Sequence, residues 1–225
     1  MLELINNLNF QVNDKIYLKD PSSSELGSRI LNASIRLIDE MGMESFTFKK
    51  LAAEIESTEA SVYRYFESKH KLLLYLTSWY WAWTEYRLVF RTANIESAEN
   101  RLERALDLLT EPAVQDHAFE NIDEEALHRI VISESSKSYL TKEVDSDNQD
   151  GAYLAYKQLV ARVSDLILEI NPNYKYPHML ISTVIEGVHH QRYFADHLPR
   201  LTDVVKGEDA IGSFYKEMVF KAIRS

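Results

Sequence analysis

Residues 47–72 read TFKKLAAEIESTEASVYRYFESKHKL, and this stretch decides the fold. Thr47 is one of the residue types that cap the start of a helix. Four apolar residues then recur at the spacing of one helix face: Phe48, Leu51, Ala52 and Ile55. The pattern predicts a short helix directly after Thr47.

A second short helix is predicted a few residues later. Ser57 or Thr58 can cap it, and Val62 and Phe66, four residues apart, form its inner face. A third helix is predicted to open at Ser68. Two short helices joined by a tight turn are the helix-turn-helix arrangement, in which the second helix enters the major groove of DNA.

The composition indicates an all-α protein. A chain of 225 residues can bury a full core, and the absence of cysteine excludes disulfides and thiolate metal sites, as expected in the cytoplasm. There is no apolar run of the ~20 residues that a membrane helix needs, and the N-terminus does not have the basic-then-apolar order of a signal peptide. Only six glycines and five prolines interrupt the long segments of helical periodicity.

The charge distribution permits DNA binding without pointing to it. The formal net charge is −10, but residues 1–75 carry nine Lys/Arg against eleven Asp/Glu. Within residues 47–71 the count is five basic against four acidic. A weakly basic patch on an acidic body gives modest non-specific affinity, so DNA binding would need a dimer and precise geometry.

The pattern along the chain predicts three regions: an N-terminal arm at 1–21, a helix-turn-helix domain at 22–67 and a helical body at 68–225. Ser22 and Glu25 have the spacing of a capping box for the first helix, and Gly42 is a plausible left-handed stop for it. The body begins with a long aromatic helix from 68 to about 91. Amphipathic segments follow at 97–110, 123–139, 152–170, 177–197 and 208–223. The prediction is about nine helices in total.

The residues TEASVYRYFESKHKLL, 58–73, resemble the TetR/AcrR family of bacterial transcriptional regulators. In that family the second helix of the motif ends in a small residue, an aliphatic residue, Tyr, a variable residue, an aromatic residue or His, and Phe, and a Lys opens the next helix. The matching residues are Ser61, Val62, Tyr63, Arg64, Tyr65, Phe66 and Lys69. The resemblance extends over about residues 23–76. It implies a DNA-binding unit of three helices followed by a helical bundle.

The turn departs from the family pattern. The chain has Ile55-Glu56-Ser57-Thr58 where the family usually has Ala-Gly-Val-Ser. The glycine position usually has a left-handed backbone, and a Glu there costs about 1 kcal/mol. We therefore expect an unusual turn geometry at Glu56 and Ser57.

The resemblance implies a set of DNA contacts on the recognition helix, residues 58–66, and around it. The start of the helix at Thr47 would meet a phosphate, and Tyr63, Tyr65 and Lys69 match positions that hold the DNA backbone. The positions that face base edges are matched by Lys49, Glu59, Ala60, Ser61 and Arg64. Arg64 can read guanine, and Glu59 can accept a hydrogen bond from cytosine. The implied partner is a double-stranded DNA operator.

The resemblance also implies that the body binds a small-molecule effector and pairs with a second copy through its last two long helices. Gly187 permits a close helix approach there. The apolar positions expected at the seam are Leu180, Val184, Val188, Phe214, Met218 and Phe220. Aromatic and apolar side chains that are candidates for a ligand pocket are Trp79, Trp83, Tyr86, Phe90, Phe119, Tyr153, Tyr156 and Met179. Each of these is an ordinary core residue in the alternative interpretation.

A competing hypothesis is a helical small-molecule carrier or metal-dependent protein that uses Glu186, His189 and His190. Carboxylate-bridged metal sites need a second Glu-x-x-His on a partner helix, and the sequence has none, so no metal site is predicted. The run 145–151 departs from a calcium loop at Asp150, where that loop needs Gly. No phosphate loop or catalytic triad pattern occurs. The sequence therefore predicts a non-enzymatic, cofactor-free, ligand-responsive repressor that acts as a homodimer.

Overall fold

The computed structural model describes residues 12–112, 114–115, 122–204 and 207–224, and within these ranges it contains eleven α-helices and no β-strand. The prediction of an all-α protein is confirmed. The helices are α1 Glu25–Ser45, α2 Phe48–Glu54, α3 Glu59–Tyr63, α4 Lys69–Thr92, α5 Ala98–Thr110, α6 Glu124–Glu134, α7 Ser136–Tyr139, α8 Val144–Gln149, α9 Leu154–Ile170, α10 Pro177–His197 and α11 Ala210–Arg224. None of these described helices combines the length and the apolar character that a membrane crossing requires.

The helix count exceeds the predicted nine because residues 123–149 are divided more finely than their pattern indicated. The expected helix at 123–139 is interrupted at Ser135, and α8 adds a further short helix. The hydroxyl group of Ser138 donates to the carbonyl oxygen of Ser135, 2.6 Å away. Serine hydroxyls that bond to nearby backbone compete with helix continuation, which accounts for the break.

The start of α1 differs from the predicted capping box. Ser24, not Ser22, is the N-cap, and its hydroxyl oxygen accepts a hydrogen bond from the amide of Gly27 at 3.2 Å. Pro21–Ser23 forms a separate 3-10 turn that Asp20 caps. A β-carbon on residue 27 would lie 2.1 Å from the carbonyl oxygen of Pro21, so the glycine allows this turn to fold back on α1.

The chain divides into two compact units, which are described separately. Unit 1 consists of Met1–Ala82 and Ala113–Ala155, and unit 2 of Trp83–Pro112 and Tyr156–Ser225. Unit 1 therefore holds the helix-turn-helix together with α6, α7 and α8. The domain limits 1–21, 22–67 and 68–225 remain a prediction.

In unit 1, α1 packs against α6 and α2, and α2 packs against α3. Gly42 interrupts α1 with a φ of 74° and a ψ of 158°, after which the chain makes one more turn. The positive φ expected at Gly42 is confirmed, but the helix resumes there instead of ending. The carboxylate of Glu134 in α6 accepts a hydrogen bond from the amide of Met43 at 3.1 Å, next to this break.

In unit 2, α11 packs against α5 and α10, and α10 also packs against α5. Gly187 in α10 lies under the side chain of Tyr215 in α11, and a β-carbon at residue 187 would be 2.1 Å from the tyrosine hydroxyl oxygen. The close approach predicted at Gly187 therefore occurs within one chain, between α10 and α11.

Candidate nucleic-acid interface

The two short helices of the motif are capped as their sequence predicts. The amide of Lys50 donates to the hydroxyl oxygen of Thr47 at 3.2 Å, and the amide of Ser61 donates to that of Thr58 at 3.2 Å. Between the helices, Leu51, Val62 and Phe66 are completely buried. The apolar spacing that predicted the motif thus forms its core.

The turn between α2 and α3 keeps the usual helix-stop geometry despite its residues. Glu56 has a φ of 50°, in the left-handed region that favours glycine. The amide of Ser57 donates to the carbonyl of Ala52 at 2.8 Å, and the amide of Glu56 donates to that of Ala53 at 3.2 Å. This pair of bonds is a Schellman motif. Glu56 therefore adopts the left-handed conformation that glycine usually has at this position, and the expectation of an unusual turn geometry at Glu56 and Ser57 is wrong.

Most of the predicted DNA-contacting side chains are exposed at the protein surface. Thr47 and Lys49 are exposed on α2, and Glu59, Ala60 and Arg64 are exposed on α3 and at its end. In the part of the chain that the structure describes, the side chains of Lys49, Glu59 and Arg64 take part in no hydrogen bond or ion pair. Their charges are therefore available to an external partner.

Two further predicted residues lie at the edge of this surface. Ser61 is half-buried, and its hydroxyl oxygen is 2.9 Å from that of Thr58. Tyr63 is 49% exposed, and its ring meets Phe48 edge-on at 4.9 Å between centroids. Phe48 thus packs against the Tyr63 ring, and about half of the Tyr63 side chain remains exposed.

Tyr65 is not part of the exposed surface. Its side chain is 2% exposed, and its hydroxyl oxygen lies 2.8 Å from that of Ser24 and 3.2 Å from the ammonium nitrogen of Lys19. The hydrogen bond with Ser24 lowers the pKa of Tyr65 more than burial raises it, and Lys19 and Arg64 lower it further. The family role carried over to Tyr65 is corrected, because a buried, bonded hydroxyl cannot meet DNA without leaving its site.

Lys69 is exposed but engaged within the chain. Its ammonium group donates to the carbonyl oxygens of Met43 at 2.8 Å, Glu44 at 3.3 Å and Phe46 at 3.3 Å. These carbonyls lie at the end of α1. The structure therefore gives Lys69 a capping role that the family pattern alone did not indicate.

The sequence interpretation missed that residues 12–24 pack against this region. Residues 1–21 were predicted to be an N-terminal arm, yet Val12 and Ile16, among its described residues, are buried. The amide of Leu18 donates to the carbonyl oxygen of Tyr65 at 2.8 Å. The available signal was the four-residue spacing of Val12 and Ile16, an apolar pair in an otherwise polar segment.

The eight predicted ligand residues are divided between the units. In unit 1, Trp79 is buried, and Tyr153 donates to the carbonyl of Ser138 at 2.7 Å while burial raises its pKa to about 12. Phe119 lies outside the described residues.

In unit 2, Trp83 is buried, Tyr156 donates to a carboxylate oxygen of Glu186 at 3.0 Å, and Tyr86 contacts Phe90 with their ring centroids 4.5 Å apart. Phe90 and Met179 are 64% and 67% exposed. These two side chains face outward instead of lining an enclosed pocket.

Three open cavities are lined by other residues. The cavity in unit 1, of about 470 Å³, lies along α1 and is lined by Arg29, Asn32, Ala33, Arg36, Asp39, Glu40, Glu54, Ile55, Asp123 and Ala126. In unit 2, one cavity of about 750 Å³ lies between α5 and α11, and one of about 450 Å³ is lined by Arg91, Arg104, Asp107, Glu111 and Asp209. All three carry mixed charges.

The predicted dimer seam is only partly accessible. Val184 and Val188 are buried inside unit 2, so they belong to the core of a single chain and are removed from the seam. Leu180, Met218 and Phe220 are half-buried, and Phe214 is 57% exposed.

The metal hypothesis finds no geometric support. Burial lowers the pKa of His189 to about 4, with smaller contributions from His190 and Arg192, and Glu186 is bonded to Tyr156. Among the residues that the structure describes, no group of three or more His, Cys, Asp or Glu side chains is placed to hold a metal ion. In the run 145–151, which was compared with a calcium loop, the carboxylate of Asp147 accepts a hydrogen bond from the ammonium group of Lys71 at 2.8 Å.

Comparisons with known proteins give one family match and several similar folds. Residues 30–76 match the model of the bacterial regulatory proteins of the tetR family. The fold is similar to that of AibR, crystallised with isovaleryl coenzyme A and operator DNA, with 18% identity, a TM-score of 0.57 and coverage of 85% of this chain and 96% of that one. It is also similar to that of the superantigen PfiT, with 12% identity, a TM-score of 0.56 and coverage of 90% and 97%. A comparison with curated proteins found no match.

The matched segment contains all of α2 and α3, the Schellman turn between them and the buried residues Leu51, Val62 and Phe66. One of these two proteins was crystallised with operator DNA and the other is a superantigen, so the fold by itself does not assign a function. The family match is confined to residues 30–76, which are similar to the bacterial regulatory proteins of the tetR family.

Proposed function

We propose that the protein is a ligand-responsive transcriptional repressor of the cytoplasm that binds double-stranded DNA as a homodimer. The observation that carries the proposal is the exposed set on the helix-turn-helix, where Lys49, Glu59 and Arg64 are exposed and unpaired beside Tyr63. Exposed charged side chains without a partner, carried by helices whose inner faces are buried, are typical of a recognition surface. No catalytic residue, cofactor or metal is part of the proposal.

In this proposal the recognition segment 58–66 lies in the major groove. Arg64 donates two hydrogen bonds to a guanine, and Glu59 accepts one from a cytosine amino group. Tyr63 and the start of α2 at Thr47 contact phosphates and set the register. Lys49 lies on α2 and not on the recognition helix, so the proposal gives it a phosphate contact in place of the base-edge role that the resemblance implies. Ala60 and Ser61 are small enough to let the helix approach the base edges.

A second copy supplies the affinity that one copy does not have. The chain carries a net charge of −10, and only a few basic residues surround the motif, so one copy has weak bulk attraction for DNA. Two recognition helices one turn of DNA apart, about 34 Å, double the contacts. We assign the pairing to α10 and α11, where Phe214 and Met179 are exposed apolar side chains.

Effector response is proposed by analogy with AibR, which was crystallised with both isovaleryl coenzyme A and operator DNA. An effector that binds more tightly to the form of the dimer with misplaced recognition helices releases DNA by that difference in affinity. The proposal leaves the chemical class of the effector open.

The test begins with selection of duplexes from a random DNA library by the wild-type protein. A single enriched sequence is expected, bound with an affinity that falls steeply as salt rises. Arg64→Ala is then expected to reduce discrimination at one base pair, a cost of about 1–3 kcal/mol for the correct base. Lys49→Ala is expected to weaken all duplexes similarly and to reduce the salt slope by about one. Failure to enrich any sequence would overturn the proposed function.

A further inference from the structure

The recognition helix is too short to hold its own orientation. α3 spans five residues, Glu59–Tyr63, and isolated helices of this length are unstable in water. Its direction relative to the rest of unit 1 is therefore determined by what its ends and its inner face contact. Val62 and Phe66 supply the inner face, and Thr58 caps the first turn.

Residues that precede α1 form hydrogen bonds with the C-terminal end of the recognition segment. The amide of Leu18 donates to the carbonyl of Tyr65 at 2.8 Å, which satisfies an acceptor that the end of α3 leaves unpaired. The ammonium group of Lys19 donates to the Tyr65 hydroxyl at 3.2 Å and lies 4.9 Å from the ring centroid. The Ser24 hydroxyl, at 2.8 Å, completes the set.

We propose that Tyr65 is a positioning residue for DNA binding, whose buried hydroxyl fastens the recognition segment to Lys19 and Ser24 so that Arg64 and Glu59 are presented in register. The proposal rests on the proposed DNA-binding function. It differs from the role implied by family resemblance, in which this position meets the DNA backbone.

The geometry favours positioning over direct contact. Tyr65 is 2% exposed, and both polar partners of its hydroxyl lie within the same chain. Its neighbours Tyr63 and Arg64 point outward. A shift of the Tyr65 anchor would therefore move the residue directly before it, Arg64, whose bidentate contact with a base tolerates little displacement.

The same segment also connects to a second part of unit 1. Lys15 lies 3.7 Å from the carboxylate of Asp150, and Asn13 lies beside Gly151, where a β-carbon would be 2.6 Å from its amide nitrogen. Asp150 lies 3.9 Å from Lys71 in the first turn of α4. The segment 12–24 is therefore held by contacts with Asp150 and Gly151. The groups that bond to Tyr65 belong to this ordered segment.

The experiment compares Tyr65→Phe and Lys19→Met, singly and together, on two probes: the duplex selected by the wild-type protein and a scrambled duplex of the same length. Tyr65→Phe keeps the ring and removes the hydroxyl. Lys19→Met removes the charge at an exposed position. Ser24 is left unchanged because it also caps α1. Tyr17→Phe is the matched control, since it removes a hydroxyl from the same segment that is not bonded to Tyr65.

We expect Tyr65→Phe to bind the selected duplex about tenfold more weakly, the equivalent of one lost hydrogen bond, and the scrambled duplex as well as wild type does. Because both changes break one anchor, the specificity ratio of the double variant should equal that of Tyr65→Phe alone. Tyr17→Phe should leave both affinities unchanged.

Two results would overturn the inference: an unchanged specificity ratio in Tyr65→Phe, whether both affinities stay the same or fall equally, or multiplicative losses in the double variant. Lys19→Met keeps the test valid if Tyr65→Phe proves poorly folded, because a reduced specificity ratio is expected there too. Wild-type protein that selects no duplex would instead refute the proposed function, so the two failures are distinguishable.

Discussion

The ammonium nitrogen of Lys69 lies 2.8 Å from the carbonyl oxygen of Met43, across the end of α1. Gly42 interrupts that helix with a φ of 74°, and the last carbonyls of a helix have no partner within it. A cation at the C-terminal end of a helix is favourable because it faces the negative end of the helix dipole. Lys69 thereby connects the first residue of α4 to the end of α1, next to the start of α2.

Lys69→Met is expected to destabilise the protein by about 1–2 kcal/mol, because up to three carbonyls lose a charged donor. The control is Lys49→Met, which removes an exposed, unpaired ammonium and should change stability by less than about 0.5 kcal/mol. Urea unfolding followed by circular dichroism measures both. Equal stabilities for the two variants would show that the capping contacts contribute nothing.

Glu56→Gly is expected to stabilise the protein by about 0.5–1 kcal/mol, since Glu56 has a φ of 50° and glycine adopts that conformation without steric cost. Asn94→Gly is a matched control at a φ of 59°. Asparagine tolerates the left-handed region better, so its replacement should gain less. A thermal melt of each variant shows which substitution raises stability more. A larger gain in stability at position 94 would contradict this account of the turn.

Asp147→Asn is expected to lower stability at pH 7 by about 3 kcal/mol. The Asp147 side chain is 2% exposed and accepts bonds from Lys71 at 2.8 Å and His70 at 2.7 Å, so the change removes the charged acceptor of both side chains and leaves Lys71 only the more distant Asp150, at 3.9 Å. Asp145→Asn alters an exposed carboxylate nearby and serves as the control.

The pH dependence of this effect follows from the carboxylate. Burial alone would raise the pKa of Asp147, but the hydrogen bonds and charges of His70 and Lys71 outweigh it and hold the pKa below its ordinary value. A lowered folded-state pKa contributes stability that is present above the unfolded value of about 3.9 and is lost as the pH falls through the folded value. The difference between wild type and Asp147→Asn should therefore shrink below pH ~4. A constant difference from pH 7 to pH 3 in urea unfolding would refute the assignment.

Gly187→Ala is expected to destabilise unit 2 by about 1–3 kcal/mol through overpacking, because the new methyl group would lie 2.1 Å from the hydroxyl oxygen of Tyr215. Adding Tyr215→Phe should restore part of the loss, since the nearest remaining ring atom is 2.9 Å away. Differential scanning calorimetry of the single and double variants measures this. An additive double variant would show that the two side chains do not meet.

Much of the motif could be predicted from local pattern. The caps at Thr47 and Thr58 and the buried Val62 and Phe66 follow from spacing within a few residues of sequence. The helix from 177 to 197 is observed with the predicted limits because Pro177 starts it and its apolar periodicity is long. Such features depend on interactions between residues close in sequence.

The sequence by itself determined an all-α chain and a helix-turn-helix near its N-terminus, because helical periodicity and capping are local properties. Only the tertiary structure decided that Tyr65 is an internal anchor and that Lys69 caps α1. Tyr65 meets Ser24 across 41 residues, and Lys69 meets Met43 across 26. A residue type and its spacing do not specify which distant group will be brought to a side chain, since that depends on how the helices pack. A tyrosine hydroxyl at position 65 can bond to a DNA phosphate or to a serine and a lysine of its own chain. The packing of residues 18–24 brings Ser24 and Lys19 to the Tyr65 hydroxyl.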